Sequence, residues 1–199
     1  HFMLSDPGLS PRQMWGISRE IIRRGLEVRW WCMARLDPGF TPDVFRCAAA
    51  AGLVQVNFGF ESASDRVCAS LGKGNVAARS QEVIRACKEC GIKVGLQTML
   101  GLPGETDEEA WETVSFLLRH KKYIDEPIFN IYYLTPSCEV YFHPERYGVC
   151  FRRDARYPFR FFHAFVNKKG MTQEKAFGYE KIYRMLFDKK SPTKSSSVV

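Results

Sequence analysis

Val94-Gly-Leu-Gln-Thr-Met-Leu100, followed at once by Gly101-Leu-Pro-Gly-Glu-Thr106, is the stretch that decides the fold. Its first half is an apolar run of strand length, interrupted only by Gln97. Its second half holds two glycines and a proline, and Thr106-Asp-Glu-Glu-Ala-Trp111 then opens a helix with a capping residue. A strand-to-helix turn with two glycines lets backbone N–H groups come close to a ligand, and the helix behind it favours negative charge. Glu105, read as an early helix residue, is expected to favour that helix dipole rather than to touch ligand. The same kind of junction recurs upstream, where Val54-Gln-Val-Asn-Phe-Gly-Phe60 ends in Glu61-Ser62-Ala63-Ser64. Two polar-tipped strand ends before helices predict a ligand platform; two ordinary βα turns are the plain alternative.

Outward from these junctions, apolar runs and helical patterns alternate. Strands are predicted at His1–Leu4, Val28–Ala34, Val54–Phe60, Lys93–Leu100 and Ile128–Leu134. Helices are predicted near Pro11–Arg24, Thr41–Ala51, Ser64–Cys90 with a break at Gly72–Asn75, and Asp107–His120. Gly25, Gly52 and Gly91 fall where helices should stop. Five strands with helical crossovers imply an α/β fold with a parallel sheet. The strands are apolar along nearly their whole length, which predicts helices or chain covering both faces, with Gln97 the exception. Polar residues gather at the C-terminal strand ends: Asp6, Arg35 with Asp37, Glu61 with Ser62, and Thr135. Ligands sit at that end in barrel-like and doubly wound sheets. Five βα units are too few for a closed eight-stranded barrel, so a partial, open barrel is expected.

The 199 residues suffice for one sizeable core, and 45% hydrophobic with 14% aromatic content is globular. No apolar run reaches the roughly 18 residues of a membrane helix, and no secretory signal opens the chain. Seven cysteines, an odd number, are therefore read as reduced thiols of a cytoplasmic protein. The chain opens with His1 inside a strand-like segment, so a piece of a longer protein is expected. The net charge of +7 arises wholly in residues 119–199. There, basic residues mix with Phe151, Tyr157, Phe159, Phe161, Phe162 and Phe165. Such a stretch either grips nucleic acid by phosphate contact and stacking or forms a solvated cover with aromatics turned inward. Met171–Tyr183 predicts a terminal helix over the barrel's open side, and residues 189–199 a disordered tail.

Phe58-Gly-Phe-Glu61-Ser62-Ala-Ser64, Leu71-Gly-Lys73-Gly74, Gly91-Ile92 and Gly101-Leu-Pro-Gly-Glu-Thr106, in that order, closely resemble the radical S-adenosylmethionine (SAM) superfamily. Leu4-Ser-Asp-Pro7 and Trp31-Cys-Met-Ala-Arg35-Leu-Asp37 extend the resemblance, which spans about residues 1–141. It is strongest to the subgroup of tRNA methylthiotransferases, coproporphyrinogen dehydrogenases and cobalamin-binding enzymes. The resemblance implies a partial (β/α)6 barrel with strands two to six in residues 1–141. A C-terminal extension at 142–188 would pack on it. It implies SAM as cofactor and a four-iron, four-sulfur cluster held by a CxxxCxxC loop after the first strand. No CxxxCxxC exists here, so the cluster ligands are expected outside this chain. Cys87 and Cys90, two thiols on one helix, offer only half of a four-ligand site. Cobalamin, carried by an upstream domain, and an electron donor to the cluster are also implied. The substrate, a small molecule or peptide, is not legible. An RNA-modifying methylthiotransferase-like enzyme and a non-catalytic barrel fragment that binds a partner are the alternatives.

The resemblance assigns SAM contacts residue by residue. Asp6 would meet the methionyl amine, Glu61 the methionyl group or ribose, and Lys73 the SAM carboxylate, with Ser62 in the same cofactor-binding set. Gln97 would bind ribose, Met99, Leu102 and Pro103 would wall the adenine, and Gly101 belongs to the same cofactor-binding set. Arg35 would meet SAM or substrate, and Thr135 and Pro136 stand where relatives contact adenine through backbone. Each has a plain alternative: Asp6 a turn, Arg35 with Asp37 an ion pair, Lys73 a solvated loop charge.

Overall fold

The computed structural model describes residues 1–74, 77–151 and 161–187. Five strands pair in parallel and in chain order: β1 (Phe2–Leu9), β2 (Trp30–Arg35), β3 (Leu53–Glu61), β4 (Lys93–Leu100) and β5 (Glu126–Ile131). Chain order without reversal is barrel winding, whereas a doubly wound sheet changes direction at a switch point. Crossovers are made by α1 (Pro11–Arg23), α2 (Pro42–Ala50), α3 (Asp65–Ser70) with α4 (Ala77–Glu89), and α5 (Asp107–Arg119). The sheet is open, with β1 and β5 at its edges, and the architecture is the expected α/β partial barrel.

Local chemistry starts and stops each crossover. Ser10 and Gln13 form a reciprocal capping box on α1, and Thr106 and Glu109 form another on α5. Thr41 caps α2 with Pro42 at its first position. Gly52 ends α2 with φ of 83°, and a Cβ there would stand 1.8 Å from the Val28 carbonyl oxygen. Only glycine fits both the backbone and the space.

Two strands differ from their predicted bounds by more than two residues. β1 continues to Leu9 because its register against β2 shifts between Leu4 and Leu9, so Asp6 lies inside the irregular stretch rather than past the strand end. β5 spans Glu126–Ile131, and Leu134 instead forms an isolated antiparallel bridge with His163.

The two faces of the sheet are unlike. Val56, Phe58 and Phe60 of β3, with Cys32 and Ala34 of β2 and Val94 and Leu96 of β4, are buried under the helices. Phe45 of α2 packs there between Phe40, stacked at 5.4 Å, and Phe58, edge-on at 6.3 Å. Truncating such a side chain to Ala costs about 3–5 kcal/mol. The alternate residues Gln55, Asn57 and Gly59 are only half-buried on the concave face. The strands are therefore not covered on both faces, and Gln97 belongs to a polar face rather than interrupting an apolar one.

Beyond β5 come α6 (Glu139–Phe142), a hairpin of β6 (Val149–Cys150) with β7 (Val166–Asn167), and α7 (Gln173–Phe187). Tyr183 and Phe187 of α7 pack on Phe129 of β5, and Lys175 meets Asp107 of α5 at 2.7 Å. The helix thus covers the convex side of β4 and the edge strand β5 and leaves the concave side open. Phe165 is buried, whereas Phe161 and Phe162 are 57% and 58% exposed. Tyr157, Phe159 and residues 189–199 lie outside the described residues. Among the described residues no helix is long and apolar enough to cross a membrane.

Candidate functional site

At the C-terminal ends of β2, β3 and β4 the concave face holds a cleft of about 440 Å³, lined by Arg35, Asn57, Gly59, Glu61, Lys73 and Gln97 among others. A second hollow of about 230 Å³ shares Glu61 and Lys73 and continues past Met99, Leu102, Tyr132, Cys138 and Tyr147. The first is polar and the second is mostly apolar and aromatic. Glu61 and Lys73 stand where they meet.

Glu61 reaches that position through a break in the ladder. Register between β3 and β4 shifts between Gly59 and Glu61, and the Ser62 N–H bonds back to the Phe60 carbonyl across Glu61 at 2.9 Å. Glu61 has φ of 67°, the sole positive value for a non-glycine among the described residues. A left-handed backbone costs about 1–2 kcal/mol in a residue with a Cβ. Its Oε1 accepts from Lys73 Nζ at 3.1 Å, while Oε2 is buried with no hydrogen-bond partner. Lys73 is aimed by the end of α3. Gly72, with φ of 67°, stops the helix, and the Lys73 N–H bonds to the Cys68 carbonyl at 2.8 Å. This closure turns the chain back toward the sheet.

Asn57 completes the floor. Gln55 Nε2 donates to Asn57 Oδ1 at 2.9 Å and to Glu126 Oε2 at 2.8 Å. A Cβ on Gly95 would lie 2.1 Å from Asn57 Oδ1, so the amide fills the space that glycine leaves. Sequence reading missed Asn57. The signal was present: Gln55, Asn57, Gly59 and Glu61 alternate with Val56, Phe58 and Phe60 at the period of a strand with one polar face.

The remaining expected site residues are dispersed. Arg35 lines the cleft with its stem close to Gly8; Asp37 makes no ion pair with it and instead accepts from the Gly39 N–H at 2.7 Å. Asp6 accepts from the Gly8 N–H at 2.9 Å and is not among the residues that line the cleft. Ser62 is buried toward α5, its hydroxyl 3.2 Å from that of Thr113. Gly101 packs against Ala176, whose Cβ would be 2.9 Å from a Cβ at this glycine. Pro103 borders a separate groove with Arg66 and Tyr147. Thr135 and Pro136 form the turn after β5, with the Thr135 hydroxyl 3.1 Å from that of Ser137.

Glu105 departs from its expected part. It precedes the cap Thr106, and its buried carboxylate turns back to accept from the Gly101 N–H at 2.7 Å and the Leu102 N–H at 3.2 Å. The two donors expected to face a ligand are thus used inside the turn. Burial raises the Glu105 pKa to about 7, against the effect of those two bonds. At Glu109 burial is outweighed by hydrogen bonds from Arg66, Thr106 and Ser64, which hold its pKa at about 2.

The cysteines form no cluster site. Cys32, Cys68 and Cys87 are buried, and burial pushes Cys32 to about 12. Cys90 Sγ lies 3.8 Å from the Pro42 carbonyl oxygen. Among the described residues no three His, Cys, Asp or Glu side chains are placed to share a metal ion. An iron–sulfur cluster therefore does not fit the described residues.

An open barrel of consecutive parallel strands, with a charged pair at the strand tips, defines the class. Residues 12–117, more than half of the chain, match the Radical SAM superfamily, and the chain belongs to that superfamily. It is 31% identical over 108 residues to an uncharacterized methyltransferase of Pyrococcus horikoshii, covering 54% of this chain and 23% of that relative. In fold it is similar to TsrM from Kitasatospora setae, a radical S-adenosylmethionine methyltransferase solved with tryptophan substrate and a SAM analogue. That likeness has a TM-score of 0.67 at 19% identity and covers 96% of this chain and 44% of TsrM. Coproporphyrinogen III oxidase from Escherichia coli, a radical SAM enzyme, aligns with a TM-score of 0.50 at 16% identity, covering 80% of this chain and 40% of the oxidase. The chain thus spans less than half the length of each of these proteins.

Proposed function

We propose that this chain is the SAM-holding part of a radical SAM enzyme, with the cofactor in the concave cleft. The observation that carries this reading is Glu61 Oε2, a buried acceptor with no partner, beside a lysine at the strand tips. A zwitterionic methionyl group answers both charges: its ammonium donates to Glu61 and its carboxylate meets Lys73. Gln97, able to donate and accept, serves the ribose, and Met99 and Leu102 wall the adenine. Arg35, which lines the cleft, is within reach of SAM or substrate, whereas Asp6 is engaged with the Gly8 N–H. Ser62, Gly101, Pro103, Thr135 and Pro136 do not line either hollow.

Bound SAM supplies the 5′-deoxyadenosyl-radical chemistry of the superfamily when a reduced four-iron cluster accompanies it. This chain orients SAM and keeps water from its buried end. In this reading the cluster cysteines and the contact with an electron donor lie outside residues 1–199. Cobalamin-dependent methyl transfer is the favoured form of the chemistry, supported by the methyltransferase name of the Pyrococcus relative and by the fold likeness to TsrM, which has also been solved with cobalamin and a 4Fe-4S cluster bound. The RNA-modifying alternative has Phe161 and Phe162 in its favour, exposed beside a basic sequence; RNA binding that weakens steeply with salt would support it.

Thermal unfolding tests the cofactor assignment. SAM should raise Tm, and adenosine or methionine alone should raise it less, because each fills one half of the joined cleft. Equal shifts with all three, or none with SAM, would overturn it.

A further inference from the structure

We infer that the C-terminal extension positions the walls of the SAM cleft, with Asn167 and Gln173 as positioning residues that never touch its contents. This rests on the cofactor reading above for the identity of the ligand, but not for the mechanical link. Two walls of the apolar hollow are Leu102, on the turn after β4, and Tyr132, just past β5. Both are held from behind by one short segment of the extension.

At the first wall, Asn167 Oδ1 accepts from the Gly104 N–H at 3.2 Å, and its Nδ2 donates to the Met171 carbonyl at 3.0 Å. The Met171 N–H then donates to the Glu105 carbonyl at 2.7 Å. Gly170, with φ of 96°, approaches so closely that a Cβ on it would lie 2.4 Å from the same carbonyl oxygen. Glu105 in turn holds the Gly101 and Leu102 N–H groups. Extension and turn are therefore joined from Asn167 through to Leu102 by hydrogen bonds. At the second wall, Gln173 Nε2 donates to the Tyr132 carbonyl at 2.9 Å while its Oε1 accepts from the Phe165 N–H at 3.2 Å.

A turn with two glycines has many conformations open to it, so fixing one of them needs partners. Here the partners are residues 167–173, Glu105, and Arg66, whose guanidinium donates to the Gly104 carbonyl at 2.8 Å. A ligand pressed against Leu102 and Tyr132 favours the docked extension, and the docked extension favours the ligand by the same factor. The extension thus belongs to the site in energy though not in contact.

Amide hydrogen exchange and SAM titration of Asn167→Ala and Gln173→Ala test this. Tyr179→Phe is the control, because it removes only a bond from α7 to the Asp107 carbonyl. The expected result for Asn167→Ala is about tenfold faster exchange at Gly104, the scale of one lost hydrogen bond, with Leu96 in β4 unchanged. SAM affinity should fall by a similar factor in both extension variants and stay near wild type in Tyr179→Phe. Equal acceleration at Gly104 and Leu96 would reduce Asn167 to an ordinary stabilising residue and overturn the inference. Unchanged exchange at Gly104 would overturn it too. If exchange at Gly104 responds as expected but the wild-type chain binds no SAM, the link stands and the cofactor reading fails.

Discussion

Lys73 Nζ lies 3.1 Å from Glu61 Oε1, and the second oxygen of the same carboxylate is buried without a partner. The two residues are twelve apart, on opposite sides of α3, and each is delivered by a left-handed backbone: that of Glu61 itself and that of Gly72 before Lys73. Strain and an unsatisfied acceptor at one residue are both costs to the fold, and a ligand with an ammonium group offsets the second.

Replacing Glu61 should separate stability from binding. Glu61→Gly removes the left-handed penalty and the buried lone oxygen, and the half-exposed ion pair with Lys73 is worth little. We expect Tm to rise by a few degrees while SAM affinity falls at least tenfold. A variant that binds SAM as the wild type does would remove Glu61 from the site.

The pH dependence of stability should carry a mark of Glu105. Its pKa is raised to about 7 in the fold from the ordinary 4.5, so the folded state holds the proton more tightly than the unfolded chain. Stability from this group is present below about pH 4.5 and is lost as pH rises to about 7, by roughly 3 kcal/mol at most. Glu109, with its pKa lowered to about 2, acts in the other direction and in a lower window: its contribution is present above about 4.5 and lost as pH falls toward 2. Urea unfolding from pH 4.5 to 8 should therefore show a decline that Glu105→Gln largely removes. An identical decline in the variant would assign it elsewhere.

Gly95 and Asn57 should behave as a coupled pair. Gly95→Ala drives a methyl into the Asn57 amide, which cannot yield without breaking its bond with Gln55. The expected loss is about 1–3 kcal/mol, and adding Asn57→Ala should recover much of it. Strict additivity in unfolding measurements would show that the two side chains do not meet.

Thiol labelling should rank the cysteines by environment. Cys150 is exposed and should react first with iodoacetamide, whereas Cys32 and Cys87 are buried, with burial raising both thiols, and should stay unmodified. Cys138 lines the apolar hollow, so SAM should slow its labelling. Peptide mass spectrometry after timed quenching measures this, and labelling of Cys138 indifferent to SAM would count against ligand in that hollow.

The fold was legible because its signals are local. β4 lies at its predicted residues, and Ser10, Thr41 and Thr106 start helices where capping chemistry says they should. β1 was cut short because Asp6-Pro7 reads as a strand end, whereas the chain resumes pairing at Leu9 after an irregular stretch that no local rule marks. The polar concave face was written in the alternation of Gln55, Asn57, Gly59 and Glu61, and a search for apolar runs passed over it. The part of Glu105 was hidden for another reason. Its position beside a helix start suggests a dipole partner, and only the folded turn shows its carboxylate facing backward onto Gly101 and Leu102. The bonds from Asn167 and Gln173 cross 63 and 41 residues of sequence, beyond the reach of any motif.

Isothermal titration of SAM into residues 1–199, in wild type and in Glu61→Gln, tests the central claim most directly. The account predicts saturable binding at one site, weakened at least tenfold in the variant, because the amide cannot answer an ammonium as the carboxylate does. No saturable binding in the wild type, or equal affinity in the two proteins, would contradict it.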